Sequence, residues 1–293
     1  GYTEREQATL SELRLALEPV LQATVPEPLG SFGTGAYRGF RETPVAGRTI
    51  ASSTGRWQAS RARQISDLRL ASDWIARFHS ATLRQRIRWD EDQIDCWLTR
   101  RFDRYSQTFG TGPEENDLFA AATEQARSRI GERIPIVWSH NDYGPWHVYR
   151  SGAELSVIDW EFGGQDLGER WGLPGCDLVY FVTHWIYLAR GLEDAGGRLG
   201  AFKELFLGKP GSDSRCDAAR DCLTEYLRRL QTPPGFLGVL VVYTWVERAI
   251  DQWSRQASLD GVRDNPRVSN PFIGYVEALA EGVDSLFGTV RGE

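Results

Sequence analysis

Two neighbouring segments, Ser139-His-Asn-Asp-Tyr-Gly-Pro-Trp-His147 and Val157-Ile-Asp-Trp-Glu161, gather the residue types that move protons and hold cations. Ile136–Ser139 reads as a short strand that enters a polar loop. Trp146–Arg150 and Leu155–Asp159 read as two strands around Ser151-Gly152, a hairpin. The loop then presents His140, Asp142 and His147, and the hairpin folds Asp159 back beside them. Two carboxylates brought together without a basic partner repel each other. A divalent cation between them removes that cost, and hard oxygen ligands suit Mg²⁺. A cation held by carboxylates is also what phosphoryl transfer requires. A lone Asp on a loop more often serves turn chemistry; the whole constellation, in its strand–loop–hairpin setting, is what points to a site.

The elements that must carry these residues are legible as patterns. Leu10, Leu13, Leu17 and Leu21 repeat at three and four, which predicts a helix over Glu4–Leu21 ended by Pro26 and Pro28. Gly30–Gly35 reads as a glycine-containing turn region, Tyr37–Val45 as a strand closed by Gly47, and Ser52–Arg63 as a polar linker. Leu68, Ala71, Ile75 and Phe78 predict a helix over Ile65–Thr82. Ile94 to Phe109 and Leu118 to Ile130 mark two more, separated by Gly110–Pro113. After Gly163-Gly164 the chain reads as loop to Gly175. Asp177–Arg190, Cys216–Leu230 and Leu237–Arg255 read as helices, with Val239, Val242, Val246, Ile250 and Trp253 on the core face of the last. Helices dominate and a few strands sit centrally, so the expected class is α+β.

Composition bounds the partners. The 293 residues carry a net charge of −6 and a pI of about 5.4, which excludes a basic protein that holds nucleic acid through its phosphates. The longest apolar run, Phe236–Val246, is too short to cross a bilayer, so no membrane partner is expected. Cys96, Cys176, Cys216 and Cys222 have no metal-site spacing and read as reduced thiols of a cytoplasmic protein. Met is absent, and Lys occurs only at Lys203 and Lys209 among 34 basic residues. Between His140 and Trp185 seven acids (Asp142, Glu154, Asp159, Glu161, Asp166, Glu169, Asp177) stand against Arg150 and Arg170. That surplus would draw a cationic small molecule, or it is simply a solvated face. Glu247 and Asp251 lie four apart on one helix face, where like charges invite a cation, unless Arg248 neutralises them. Trp160, between Asp159 and Glu161, is a candidate wall of a substrate cleft.

The segments resemble the aminoglycoside phosphotransferase and choline kinase-like family, a branch of the protein-kinase-like fold. His140-Asn-Asp142 matches its catalytic loop, and Ile158-Asp159-Trp-Glu161 matches the acidic motif after the hairpin. Cys176-Asp177-Leu-Val resembles the family's structural Asp at a helix start. Arg41-Glu-Thr-Pro-Val-Ala-Gly47 resembles the hinge between lobes, and Ile75-Ala-Arg-Phe-His79 the helix before the catalytic loop. The resemblance implies Asp142 as catalytic base, His140 as its brace and Asp159 as ligand of Mg²⁺ on ATP. It implies Glu42, Thr43 and Val45 as hinge contacts for the nucleotide. The acidic surplus and the placement of Trp160 make Glu161, Trp160, Glu247 and Asp251 candidate substrate contacts.

His147 stands where the family has a metal-binding Asn, and imidazole is a softer donor than an amide oxygen. The family's glycine-rich loop and strand Lys are absent before the presumed hinge. Residues 1–50 are therefore expected to be a remnant of the nucleotide lobe with the hinge, and 51–293 the helical lobe with the catalytic loop. The expected activity is transfer of the ATP γ-phosphate to a hydroxyl of an amine-bearing or polyhydroxy small molecule. The alternatives are an inactive kinase-like binding module or the C-terminal part of a larger enzyme.

Overall fold

A computed structural model describes residues 2–34, 37–55, 59–160, 171–260 and 267–288. The chain forms two compact units, Gly1–Gln85 with Pro135–Leu192, and Arg86–Ile134 with Glu193–Glu293. The contacts thus group residues 51–85 and 135–192 with the N-terminal residues, a division other than one at residue 50.

The first unit opens with α1 (Tyr2–Ala16) and the single turn α2 (Pro19–Gln22). The leucine repeat predicts one helix here, but Pro19 divides it. Glu18, preceding proline, is extended at φ −66°, ψ 157°, and Pro19 starts the second helix. Strands β1 (Pro28–Thr34) and β2 (Tyr37–Glu42) pair antiparallel, so the stretch expected to be a glycine turn is itself strand. β3 (Arg48–Thr49) leads into α3 (Ile50–Thr54), where a linker was expected, and Thr49 caps it by accepting from Ser52 N–H. Helix α4 (Arg61–Ala81) is capped in the same way by Ser60. The chain leaves through β4 (Gln85–Arg88) and returns through β5 (Arg133–Trp138). β6 (Val148–Ser151) and β7 (Glu154–Val157) form the expected hairpin, and β3 pairs with the outer side of β6. β8 (Trp171–Gly172) pairs with β5, and α8 (Cys176–Arg190) closes the unit.

An aromatic core ties these pieces to the polar loop. The Trp74 and Phe78 rings stack at 5.2 Å, Tyr143 lies 5.8 Å from Trp74 and 5.2 Å from Phe181, and Trp160 lies 5.2 Å from Phe78. Tyr143 is wholly buried and donates its hydroxyl to Ala71 O at 2.9 Å, which pins the loop to α4. Arg150 on β6 pairs with the fully buried Asp67 on α4.

Gly47 sits at φ +98°, and a Cβ there would stand 2.2 Å from Arg150 O. Only glycine permits this approach of β3 to β6. Gly47→Ala is expected to destabilise the unit by at least 1–3 kcal/mol, roughly the cost of a forced backbone conformation. A thermal melt checks it; an unchanged midpoint would contradict the close approach.

The second unit is helical: α5 (Glu91–Ile94), a π-helical turn Asp95–Thr99, α6 (Arg100–Phe109), α7 (Pro113–Arg127), α9 (Ala195–Leu207), α10 (Ser214–Arg229), α11 (Leu237–Asp260), α12 (Ile273–Glu281) and α13 (Val283–Phe287). Its core includes Phe102 stacked on Phe119 at 4.5 Å and the cluster Phe202, Trp245 and Tyr275. Tyr105 donates to the buried Glu115, which also pairs with Arg267 at 3.0 Å. No helix among the described residues is long and apolar enough to cross a membrane, and none of the four Cys forms a disulfide.

Candidate active site

The loop between β5 and β6 is held from behind by one carboxylate. Asp177, at the first turn of α8 and 2% exposed, accepts the backbone N–H of His140 at 2.8 Å and of Asn141 at 2.9 Å. Its Oδ2 also lies 3.4 Å from His79 Nε2, at the end of α4. Burial alone would push the Asp177 carboxyl up. The hydrogen bond and charge of His79, with the backbone N–H of His140, hold it below the ordinary carboxylate range instead. Asn141 has φ 63°, a left-handed conformation that Asn tolerates.

His140 is wholly buried and bonded at both ring nitrogens. Its Nδ1 accepts the Asp142 N–H at 3.2 Å, so the proton resides on Nε2, which donates to Ile158 O at 3.0 Å. Burial lowers its pKa, consistent with a neutral ring. The imidazole therefore ties the loop to the strand end just before Asp159. Ile158 N–H donates to His147 O at 3.1 Å, and Asp159 takes a left-handed φ of 67°. Strained backbone of this kind concentrates at functional sites.

The result is a cluster. One ligand atom each from Asp142, His147 and Asp159 lies within 4.8 Å of the others. His147 Nε2 is 2.9 Å from Asp159 Oδ2, and its Nδ1 is 3.0 Å from Asp142 O and 3.6 Å from Asp142 Oδ2. Both nitrogens thus face acceptors. Burial opposes protonation of His147, but the hydrogen bond to Asp159 and the charges of Asp142 and Asp159 outweigh it and raise the pKa. Glu42, at the end of β2, is pushed up by partial burial and by the charge of Asp159. Two carboxylates whose ligand atoms lie within 4.8 Å of each other suit Mg²⁺, and the imidazole shifts the set toward softer ions such as Mn²⁺.

The other sequence candidates fall differently. Thr43 is engaged with Glu27: its N–H donates to Glu27 O, and its hydroxyl accepts Glu27 N–H, each at 2.9 Å. Val45 is half-buried on the same connection. Trp160 does not line a cleft. It is 0% exposed, its ring lies 4.4 Å from His140, and its Nε1–H donates to Val157 O. The chain turns at Asp159, whose φ is 67°, and the indole is buried in the core. Glu247 and Asp251 belong to the second unit, where Glu247 pairs with Arg101. Burial raises the Glu247 carboxyl to about 7 against the pull of Arg101. Glu161, Asp166 and Glu169 lie outside the described residues. His79 and Asp67, both buried and both engaged, are contacts that spacing alone did not show. Their partners lie 98 and 83 positions away, and no local pattern signals such pairs.

A helix and antiparallel hairpin before a short connection, then a helical body carrying an acid-bearing loop and hairpin, define a kinase-like α+β phosphotransferase fold. The phosphotransferase enzyme family matches over residues 3–208, and the chain belongs to that family. No curated protein sequence matches significantly. Among solved structures, a glucosamine kinase in complex with glucosamine, ADP and inorganic phosphate aligns with TM-score 0.58 and 14% identity, over 96% of this chain and 74% of that one. Crystal form A of glucosamine kinase aligns with TM-score 0.56 and 14% identity, over 92% of this chain. This chain spans 66% of that protein's length.

Proposed function

We propose that the chain transfers the γ-phosphate of ATP to a hydroxyl of a small amine-bearing or polyhydroxy molecule. The observation that carries this reading is the Asp142–His147–Asp159 cluster on the β5–β6 loop and the end of the β6–β7 hairpin. Asp142 would accept the proton of the attacking hydroxyl and orient its oxygen. Its own position is set by its N–H on His140, and His140 is set in turn by Ile158 and Asp177. Asp159 and His147 would hold a divalent cation with the nucleotide. When bound, that cation neutralises charge on the phosphates. Glu42, Thr43 and Val45 would face the nucleotide along the connection after β2. The solved glucosamine kinase complex supports an amino sugar as the first acceptor to try.

An inactive binding module is the second reading, favoured by one observation: His147 engages both Asp142 and Asp159 where the family has an Asn. Incubating the chain with millimolar ATP, Mg²⁺ or Mn²⁺ and a panel of amino sugars, other amines and neutral sugars decides between them. Phosphorylated product from an amine-bearing acceptor is expected. Thermal stabilisation by acceptors without any product favours the module. Stabilisation by neutral or anionic compounds alone ends the cationic-substrate idea.

His147→Asn supplies a metal-specific prediction. Replacing imidazole with an amide oxygen should lower the Mg²⁺ concentration needed for half-maximal activity, more than it does for Mn²⁺. Parallel titrations of both ions check this. Identical metal dependence in the two proteins would place His147 outside the coordination sphere.

A further inference from the structure

A cavity of about 520 Å³ opens on the first unit at the end of β6 away from the acidic cluster. Arg48 of β3, Arg63 of α4, Arg150 and Ser151 of β6, and Ser53 of α3 line it, with Gly47 at its edge. Arg150 follows His147 by three residues, so the two sites stand about 10 Å apart along the strand at roughly 3.3 Å per residue.

The walls are built, not casual. Asp67 is wholly buried beneath them and accepts from Arg63 Nε at 3.1 Å, from Ser53 Oγ at 3.1 Å and from Arg150. Arg150, 13% exposed, also donates Nε–H to Gly152 O at 2.7 Å, which fixes its plane. One carboxylate cannot neutralise three guanidinium groups, and two positive charges remain in excess on the wall. Arg48 makes no ion pair or side-chain hydrogen bond among the described residues, so its donors are available at the rim. This occurs in a chain of net charge −6, where a concave cationic surface is not a by-product of overall composition.

We propose that this cavity is a second ligand site that takes a small phosphate-bearing molecule. Planar guanidinium forks bond phosphate oxygens in pairs, and a surplus of two charges matches a dianion. The volume falls within the range of small-molecule sites, of order 300–1,000 Å³. The site does not depend on the proposed reaction, because none of its residues belongs to the Asp142–His147–Asp159 cluster.

Calorimetry of pyrophosphate binding to the whole chain tests it, in metal-free buffer, where the acidic cluster repels the probe. Saturable binding that weakens with added salt is expected. Arg48→Glu should weaken it by about 10- to 100-fold, the loss of a charge-assisted hydrogen bond or two. Arg48 pairs with no side chain among the described residues, so the variant should melt like the wild type. Asp142→Asn should leave the affinity unchanged, and succinate should bind more weakly than pyrophosphate. Absence of binding to folded wild type, equal binding by Arg48→Glu, or loss of binding in Asp142→Asn would overturn the site. Succinate binding as tight as pyrophosphate would overturn its assignment to phosphate.

Discussion

Asp142→Asn is expected to lower kcat for phosphate transfer by about 10²–10⁴, the usual contribution of a positioned general base. The amide keeps the volume of the carboxylate and the backbone contacts that set the loop: Asp142 N–H to His140 Nδ1, and Asp142 O to His147 Nδ1 and to Gly144 N–H. Only the group able to take a proton is lost. KM for the acceptor should change little, because the hydroxyl can still hydrogen-bond the amide. The thermal midpoint should stay close to that of the wild type. Steady-state rates at saturating ATP measure the effect, and a variant with wild-type kcat would remove Asp142 from the chemistry.

The second large effect is expected behind the loop. Asp177→Ala removes the acceptor of two backbone N–H groups and the partner of His79, all at a site with 2% exposure. Breaking a buried charge-paired contact costs about 3–5 kcal/mol. The first unit should lose stability on that scale, and the His140–Asn141–Asp142 turn should lose its geometry, so activity falls even where the chain remains folded. Asp177→Asn should be milder, since its carbonyl still accepts one N–H. The pH dependence follows from the lowered pKa. A carboxyl that is more acidic folded than unfolded adds stability above its unfolded pKa, near 3.8, and that stability is lost as pH falls through the lower folded value. Wild-type melting should therefore fall more steeply than that of Asp177→Asn in that acid range. Parallel slopes would mean that the Asp177 charge does not support the loop.

The loop and hairpin were legible because their signals are local. Ile136–Ser139, Ser151-Gly152 and the acids at Asp142 and Asp159 lie within two dozen residues, and hydrophobic alternation sets strands at that range. The helices α4 and α11 were legible for the same reason, through periodic apolar faces, and α8 through its apolar run. Pro19 divided α1 from α2 because proline restricts its predecessor, a local rule that the strong leucine repeat concealed. The β1 strand was hidden by its own glycines, which suggest a turn but here pair with the hairpin partner Tyr37–Glu42. What spacing could not show is contact at a distance: Asp177 behind His140, Asp67 beneath Arg150, Arg101 against Glu247. These are set by packing of whole elements, and no periodicity records them. Trp160 illustrates the converse. Its position between two acids suggests a cleft wall, but the chain turns at Asp159, whose φ is 67°, and the indole points inward to Phe78 and His140.

Phosphorus NMR of the chain incubated with ATP, a divalent cation and an amino sugar tests the central claim most directly, because it shows where the γ-phosphate goes. The account predicts a new phosphomonoester resonance on the acceptor, growing as ATP is converted to ADP and absent with Asp142→Asn. ATP consumption that yields only inorganic phosphate, or a phosphomonoester that forms equally well without the Asp142 carboxylate, would contradict it.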